Sequence, residues 1–172
     1  MKLNIKETAV FALLGALMYS AKVIMEILPN VHLLGVFTVA ITVVYRKKAL
    51  YPIYVYVFIN GFFSGFAMWW IPYLYIWTLL WGAVMLLPKN IPPKIRPIVY
   101  MTVCALHGFL FGTLYAPAQA LLFGLDFKGM IAWIAAGLPW DFVHGISNLV
   151  CGTLICPIIA VLKRSERYIT KN

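Results

Sequence analysis

Asp141, His144 and Asn148 stand three and four residues apart in the stretch GLPWDFVHGISNLVCG, 137–152, one of the most apolar parts of the chain. At about 100° per residue they fall within about 60° of one another and make one stripe on a helix. Gly137 and Gly152 lie near the same stripe and leave room beside it. An acid, an imidazole and an amide together offer a carboxylate for a cation and donors and acceptors for a polar ring. At membrane depth such groups are costly unless they face protein or a wet cavity. Two chemistries satisfy that condition. One is hydrogen bonding between helices; the other is an outward-facing ligand site.

Other ionisable pairs have to be weighed beside this stripe. Lys22 and Glu26 are four apart and can pair on one helix face, or one of them can contact a charged substrate. His107 and Asn60 are single polar residues in apolar runs and read as satisfied core groups; His32 falls at a loop. His107, Asp141 and His144 carry metal-ligand chemistry, but no metal-binding spacing accompanies them, and the expected metal set is none. Ser147 lies three residues after His144 without a marked oxyanion hole, so no catalytic residue is assigned and the chain is not read as an enzyme. A glycine-rich phosphate loop is absent from the sequence, so ATP hydrolysis must come from elsewhere. Cys104, Cys151 and Cys156 lack disulfide or zinc spacing and read as small apolar residues. No cofactor is expected.

The elements that carry these residues follow from composition. Of 172 residues 63% are hydrophobic and 11% charged, against roughly a quarter charged in soluble domains. That predicts an all-α integral membrane protein with a single domain over 1–172. The net charge of +9 does not indicate nucleic acid. All of the fourteen basic residues except Lys22 and Lys128 fall before the first apolar run or in alternate gaps after it. This is the positive-inside distribution, and it predicts cytoplasmic N and C termini. The outer charge Lys128 is expected to be balanced by Asp126. Neither end carries a cleavable signal pattern.

Six spans are predicted, at about 7–28, 33–45, 50–68, 73–88, 98–123 and from about 140 to 163. The second is shorter than the roughly 20 residues of a straight crossing. PKNIPPKIRP, 88–97, must be a loop, because prolines and basic residues suit neither a helix interior nor lipid. The run 130–163 is too long for one crossing, so a short outer helix and a break near Gly137–Pro139 are expected. MWWIPYLYIW, 68–77, supplies Trp69, Trp70, Tyr73, Tyr75 and Trp77. They read either as an interfacial belt or as an aromatic wall that stacks a planar ligand. Ala12, Ala16 and Ser20 form a small-residue strip on the first helix, for packing within the chain or for docking to another membrane subunit.

Taken together, the six spans, this strip, the aromatic outer hairpin and the closing LPWDFVHGISNLVCGTLICPIIAVLKR resemble the S components of energy-coupling factor (ECF) transporters. The overall pattern covers nearly the whole chain, although the matching motifs are short. The resemblance implies a multi-pass protein of the bacterial plasma membrane that binds a vitamin or vitamin precursor from outside. Its partners would be a T component and two cytoplasmic ATPases, and the subunit would topple to carry its pocket inward. Ala12, Ala16 and Ser20 would match the docking surface. Asp141, His144 and Asn148 would match sixth-helix pocket positions. The aromatic residues Trp69, Trp70, Tyr73 and Trp77 could stack a heteroaromatic ring, with Lys22 and Glu26 as charged contacts. The chain lacks the early His of the nickel and cobalt branch. Two other classes remain open at this point: a small intramembrane enzyme, and a proton-coupled secondary transporter using Asp141 or Glu26.

Overall fold

Apolar runs become helices here, and prolines and glycines set where they stop. The computed structural model describes residues 3–170, with side chains for 3–167; Lys2 and Lys171 of the basic set lie outside the described residues. Eight α-helices follow in order: α1 (Ile5–Met25), α2 (Leu34–Tyr45), α3 (Leu50–Ser64), α4 (Tyr73–Leu86), α5 (Arg96–Phe109), α6 (Phe111–Phe123), α7 (Phe127–Cys151) and α8 (Ile155–Thr170). No strand occurs among the described residues.

Among the described residues four helical stretches are long and apolar enough to cross a membrane: Ile5–Met25, Met68–Leu86, Arg96–Phe123 and Phe127–Arg167. Six spans are expected from the sequence, and four stretches reach spanning length among the described residues. The other two predicted spans appear as α2, of 12 residues, and α3, of 15. The reason for the short α2 lies in its surroundings. Val36, Thr38, Val39, Ala40, Ile41 and Thr42 are all fully buried. A helix that is apolar all round belongs in a core. It packs against α4, α8 and α5, while α1 packs on α3 and α5 packs on α7. Large apolar side chains such as Leu13, Ile24, Phe62, Leu121 and Phe142 are exposed around the outside. Asn60, Asp141, His144 and Asn148 are buried within. An apolar exterior around polar interior groups is compatible with a multi-pass membrane protein.

Three helix boundaries differ from expectation. Pro139 does not break its helix, because α7 runs unbroken through it. The break comes later, as a 3-10 turn over Gly152–Leu154. Pro157 explains it. Its ring has no N–H to offer Thr153 and crowds that carbonyl, so the turn before it must tighten. The run 98–123 is divided instead, at Leu110, into α5 and α6. The third span ends earlier than expected, at Ser64, where Gly65 takes a φ of 90°.

One end of the bundle gathers the basic segments. Lys48 pairs with Glu7, itself half of a capping box with Asn4. Arg46 donates to the Met85 carbonyl at 3.1 Å, and Trp81 Nε1 donates to the Arg46 carbonyl at 3.0 Å. These bonds tie the start of α1, the α2–α3 turn and the end of α4 together. At the other end Asp126 caps α7 by accepting from Gly129 N–H at 2.7 Å. Asp126 therefore serves a helix terminus, a use of that carboxylate the charge-balance reading did not contain.

Candidate functional site

The Asp141 carboxylate lies where α5 gives way to α6. A helix start leaves backbone N–H groups without intrahelical partners. Asp141 meets one of them: Gly112 N–H donates to its two oxygens at 2.9 and 3.0 Å. Only glycine allows this approach, since a Cβ at position 112 would stand 2.5 Å from Asp141 Oδ2. One stripe residue therefore caps a neighbouring helix. Asn148 does a related job, its Nδ2 donating to the Cys104 carbonyl on α5 at 3.2 Å. His144 makes neither kind of bond. Its ring lies against Phe111, with centroids 4.7 Å apart, and edge-on to His32 at 4.3 Å. The stripe is real and faces inward, but its three members have three different jobs.

A cavity of about 480 Å³ opens beside Asp141 and His144. Helix α7 contributes Trp133, Gly137 and Trp140 as well, and α6 contributes Phe111, Gly112, Tyr115 and Gln119. Tyr73 from α4 and Asn30 and His32 from the α1–α2 connection complete the wall. Tyr115 and Trp133 stack at 5.8 Å with their planes 16° apart. The Tyr115 hydroxyl donates to the Trp69 carbonyl at 2.9 Å, which fixes the hairpin between α3 and α4 over this region. The volume suits a small organic molecule.

Beneath the cavity lies an aromatic and imidazole layer. Trp77 is buried edge-on to Tyr73, Tyr56 and His32, and it lies beside His107 and Phe111. The His107 Nε2 atom lies 3.2 Å from the Ile76 carbonyl, while its Nδ1 is buried without a partner among the described residues, so the satisfied core role expected of it is met at one nitrogen only. His32 Nδ1, His144 Nε2 and Trp77 Nε1 are buried and have no hydrogen-bond partner among the described residues. Among the described residues no group of three or more His, Cys, Asp or Glu side chains is placed to hold a metal ion.

Of the expected site residues, Asp141, His144 and Tyr73 line the cavity, and Trp77 backs it. Asn148 lies outside the lining, bonded to α5. Trp69 stands behind Tyr73, with ring centroids 5.6 Å apart. Trp70 packs on Phe58 and Phe66, and its Nε1 donates to the Val57 carbonyl at 2.8 Å. Lys22 and Glu26 pair with each other at 2.5 Å, away from the lining. Ala12, Ala16 and Ser20 are exposed, so the strip is not used for packing inside the chain.

Several lining residues escaped the sequence reading. Trp133, Gly137, Trp140, Asp141 and His144 share one face only if the helix continues through Pro139. Placing a break there separated them. Phe111, Tyr115 and Gln119 are spaced four apart and carried the same signal. His32 had no local signal; a connection between helices brings it in.

His32 also makes stability depend on pH. Burial first, and then the nearby His107 ring, hold its pKa down at about 4, against an ordinary 6.5. The folded form keeps His32 neutral while the unfolded chain takes up a proton, so stability is lost as pH falls from 6.5 toward 4. The thermal midpoint is expected to fall between pH 7.5 and 5, and His32→Gln should flatten part of that fall. An unchanged midpoint across this range would contradict the burial argument.

No known protein family matches the chain, and no curated protein or solved structure matches it significantly.

Proposed function

We propose that this chain is the substrate-binding S component of an ECF-type importer in a bacterial plasma membrane. In this reading it takes up a small heteroaromatic vitamin or precursor from outside. It delivers that compound through a T component and two cytoplasmic ATPases. It binds and releases its cargo unchanged, so it is not an enzyme. The helices α1 to α4, the α5–α6 pair and the α7–α8 pair are the six membrane-embedded segments, with both termini cytoplasmic.

The observation that carries the reading is the cavity of about 480 Å³ walled by Tyr73, Phe111, Tyr115, Trp133 and Trp140 around Asp141 and His144. Aromatic walls with a few converging polar groups suit a planar organic ligand. The cavity lies toward the end of the bundle away from Arg46, Lys48 and Arg96. By the positive-inside rule that end faces outward. Ala12, Ala16 and Ser20 add support, because an exposed strip of small residues permits close approach of a partner helix.

Mass spectrometry of small molecules released from the protein, purified in mild detergent, is the direct test. A stoichiometric vitamin-like compound is expected, and Trp133→Ala should weaken its binding at least about tenfold by removing a stacking face. Lys22→Ala should leave affinity unchanged. Ala16→Leu should block assembly with a T component yet keep ligand binding. Transport driven by a pH gradient without ATPases would favour a secondary carrier, and a chemically altered product would favour an enzyme.

A further inference from the structure

The charge inventory of the cavity narrows its cargo. Among its lining residues Asp141 is the one carboxylate, and neither lysine nor arginine is present. Of the helix starts beside the cavity, that of α6 has its Gly112 N–H engaged by Asp141. Lys22 is paired with Glu26 and does not reach the lining. A carboxylate or phosphate brought here would lose its water, gain no cation, and face Asp141. By contrast, His144 is 5% exposed, and His32 Nδ1 and His144 Nε2 are buried without a hydrogen-bond partner among the described residues. A neutral imidazole offers one donor and one acceptor, so the two rings can read both kinds of atom on a heterocycle's edge. The Asp141 oxygens share a single N–H and keep capacity for a further donor or a cation.

We infer that the cavity takes a planar nitrogen heterocycle that is neutral or singly cationic, carries no carboxylate or phosphate, and sets its polar edge on His32 and His144. This rests on the cavity being the substrate site of the proposed importer subunit. It also departs from the sequence expectation of a ligand with both signs of charge, because Lys22 and Glu26 satisfy each other.

The experiment is a tryptophan-fluorescence titration of the full chain in nanodiscs with ring-matched probes. One set is nicotinamide, 3-pyridylmethylamine and nicotinate; a second is uracil, cytosine and orotate. The neutral and cationic probes are expected to bind at least about tenfold more tightly than nicotinate and orotate. His144→Phe should cost the neutral probes at least about tenfold, since the ring wall is kept and the nitrogen is lost. Gly137→Lys supplies the missing cation. A Cβ there meets nothing within 4 Å, so the variant should fold, and it should narrow the gap to the anions by about tenfold. Anionic probes binding as tightly as neutral ones, with loss on Trp133→Ala, would overturn the charge inference and leave the substrate site standing. Unchanged affinity in His144→Phe would overturn the role given to the imidazoles. No quenching by any probe, with no compound released on denaturation, would overturn the substrate site and this inference with it.

Discussion

Asp141→Ala is expected to lower the thermal midpoint of the detergent-solubilised protein by about 5–10 °C. The substitution leaves the buried Gly112 N–H without an acceptor and removes a charge-assisted bond, a cost of about 2–3 kcal/mol. For a chain of this size each kcal/mol moves the midpoint by about 2–4 °C. Asp141→Asn keeps one oxygen as acceptor and should lose less than half as much. That pair also separates capping from ligand binding, because asparagine retains the cap but not the charge. Gly112→Ala attacks the same contact from the other side, where its Cβ would stand 2.5 Å from Oδ2. The double variant Gly112→Ala/Asp141→Ala should therefore be less destabilised than the sum of the two. An Asp141→Ala midpoint equal to that of the native protein, or strict additivity in the double variant, would show that the carboxylate does not hold the α5–α6 junction.

Gly108→Ala should be the most damaging alanine among the helical glycines of α4, α5 and α7. An added Cβ would meet Gly145 Cα and the His144 carbonyl, each at 2.9 Å, and Asn148 Nδ2 at 2.7 Å. Two of those atoms are backbone, so α5 and α7 must separate rather than rearrange side chains. Overpacking of this kind costs about 1–3 kcal/mol. Separation also strains the Asn148–Cys104 hydrogen bond. At Gly145 the obstacle is the Phe109 ring, a half-buried side chain that can turn away, so Gly145→Ala should cost less. Gly82 has nothing within 4 Å, and Gly82→Ala should be neutral or stabilising by up to about 1 kcal/mol. Midpoints measured for the three variants should fall in that order. A Gly108→Ala protein as stable as Gly82→Ala would refute the close crossing of α5 and α7. Ligand affinity should fall in Gly108→Ala as well, because the crossing sets His144 against the cavity.

Much of this arrangement was legible before any coordinates. Composition alone required an apolar exterior, and proline and basic residues marked the loop after α4, a loop that ends two residues earlier than 97 because α5 begins at Arg96. The inward face of Asp141, His144 and Asn148 followed from their spacing, and all three are buried. Their separate duties did not follow, because each depends on what another helix places opposite. Asp141 meets an orphan N–H, His144 meets aromatic rings, and Asn148 meets a carbonyl. Local chemistry also misplaced the break in the last helix. A proline inside an apolar helix can be carried without interruption, as Pro139 is, whereas Pro157 at the start of α8 accompanies a tightened turn.

Residue types and their periods by themselves determined an all-helical chain with apolar faces turned outward and one polar stripe turned in, since those follow from the cost of exposing or burying each side chain. The membership of the cavity was set by packing. His32 arrives from a connection, Tyr115 and Trp133 meet from different helices, and Trp69, Trp70 and Lys22 are drawn into other contacts. Such meetings depend on how helices cross and how closely they approach, and no single helix's sequence carries that distance.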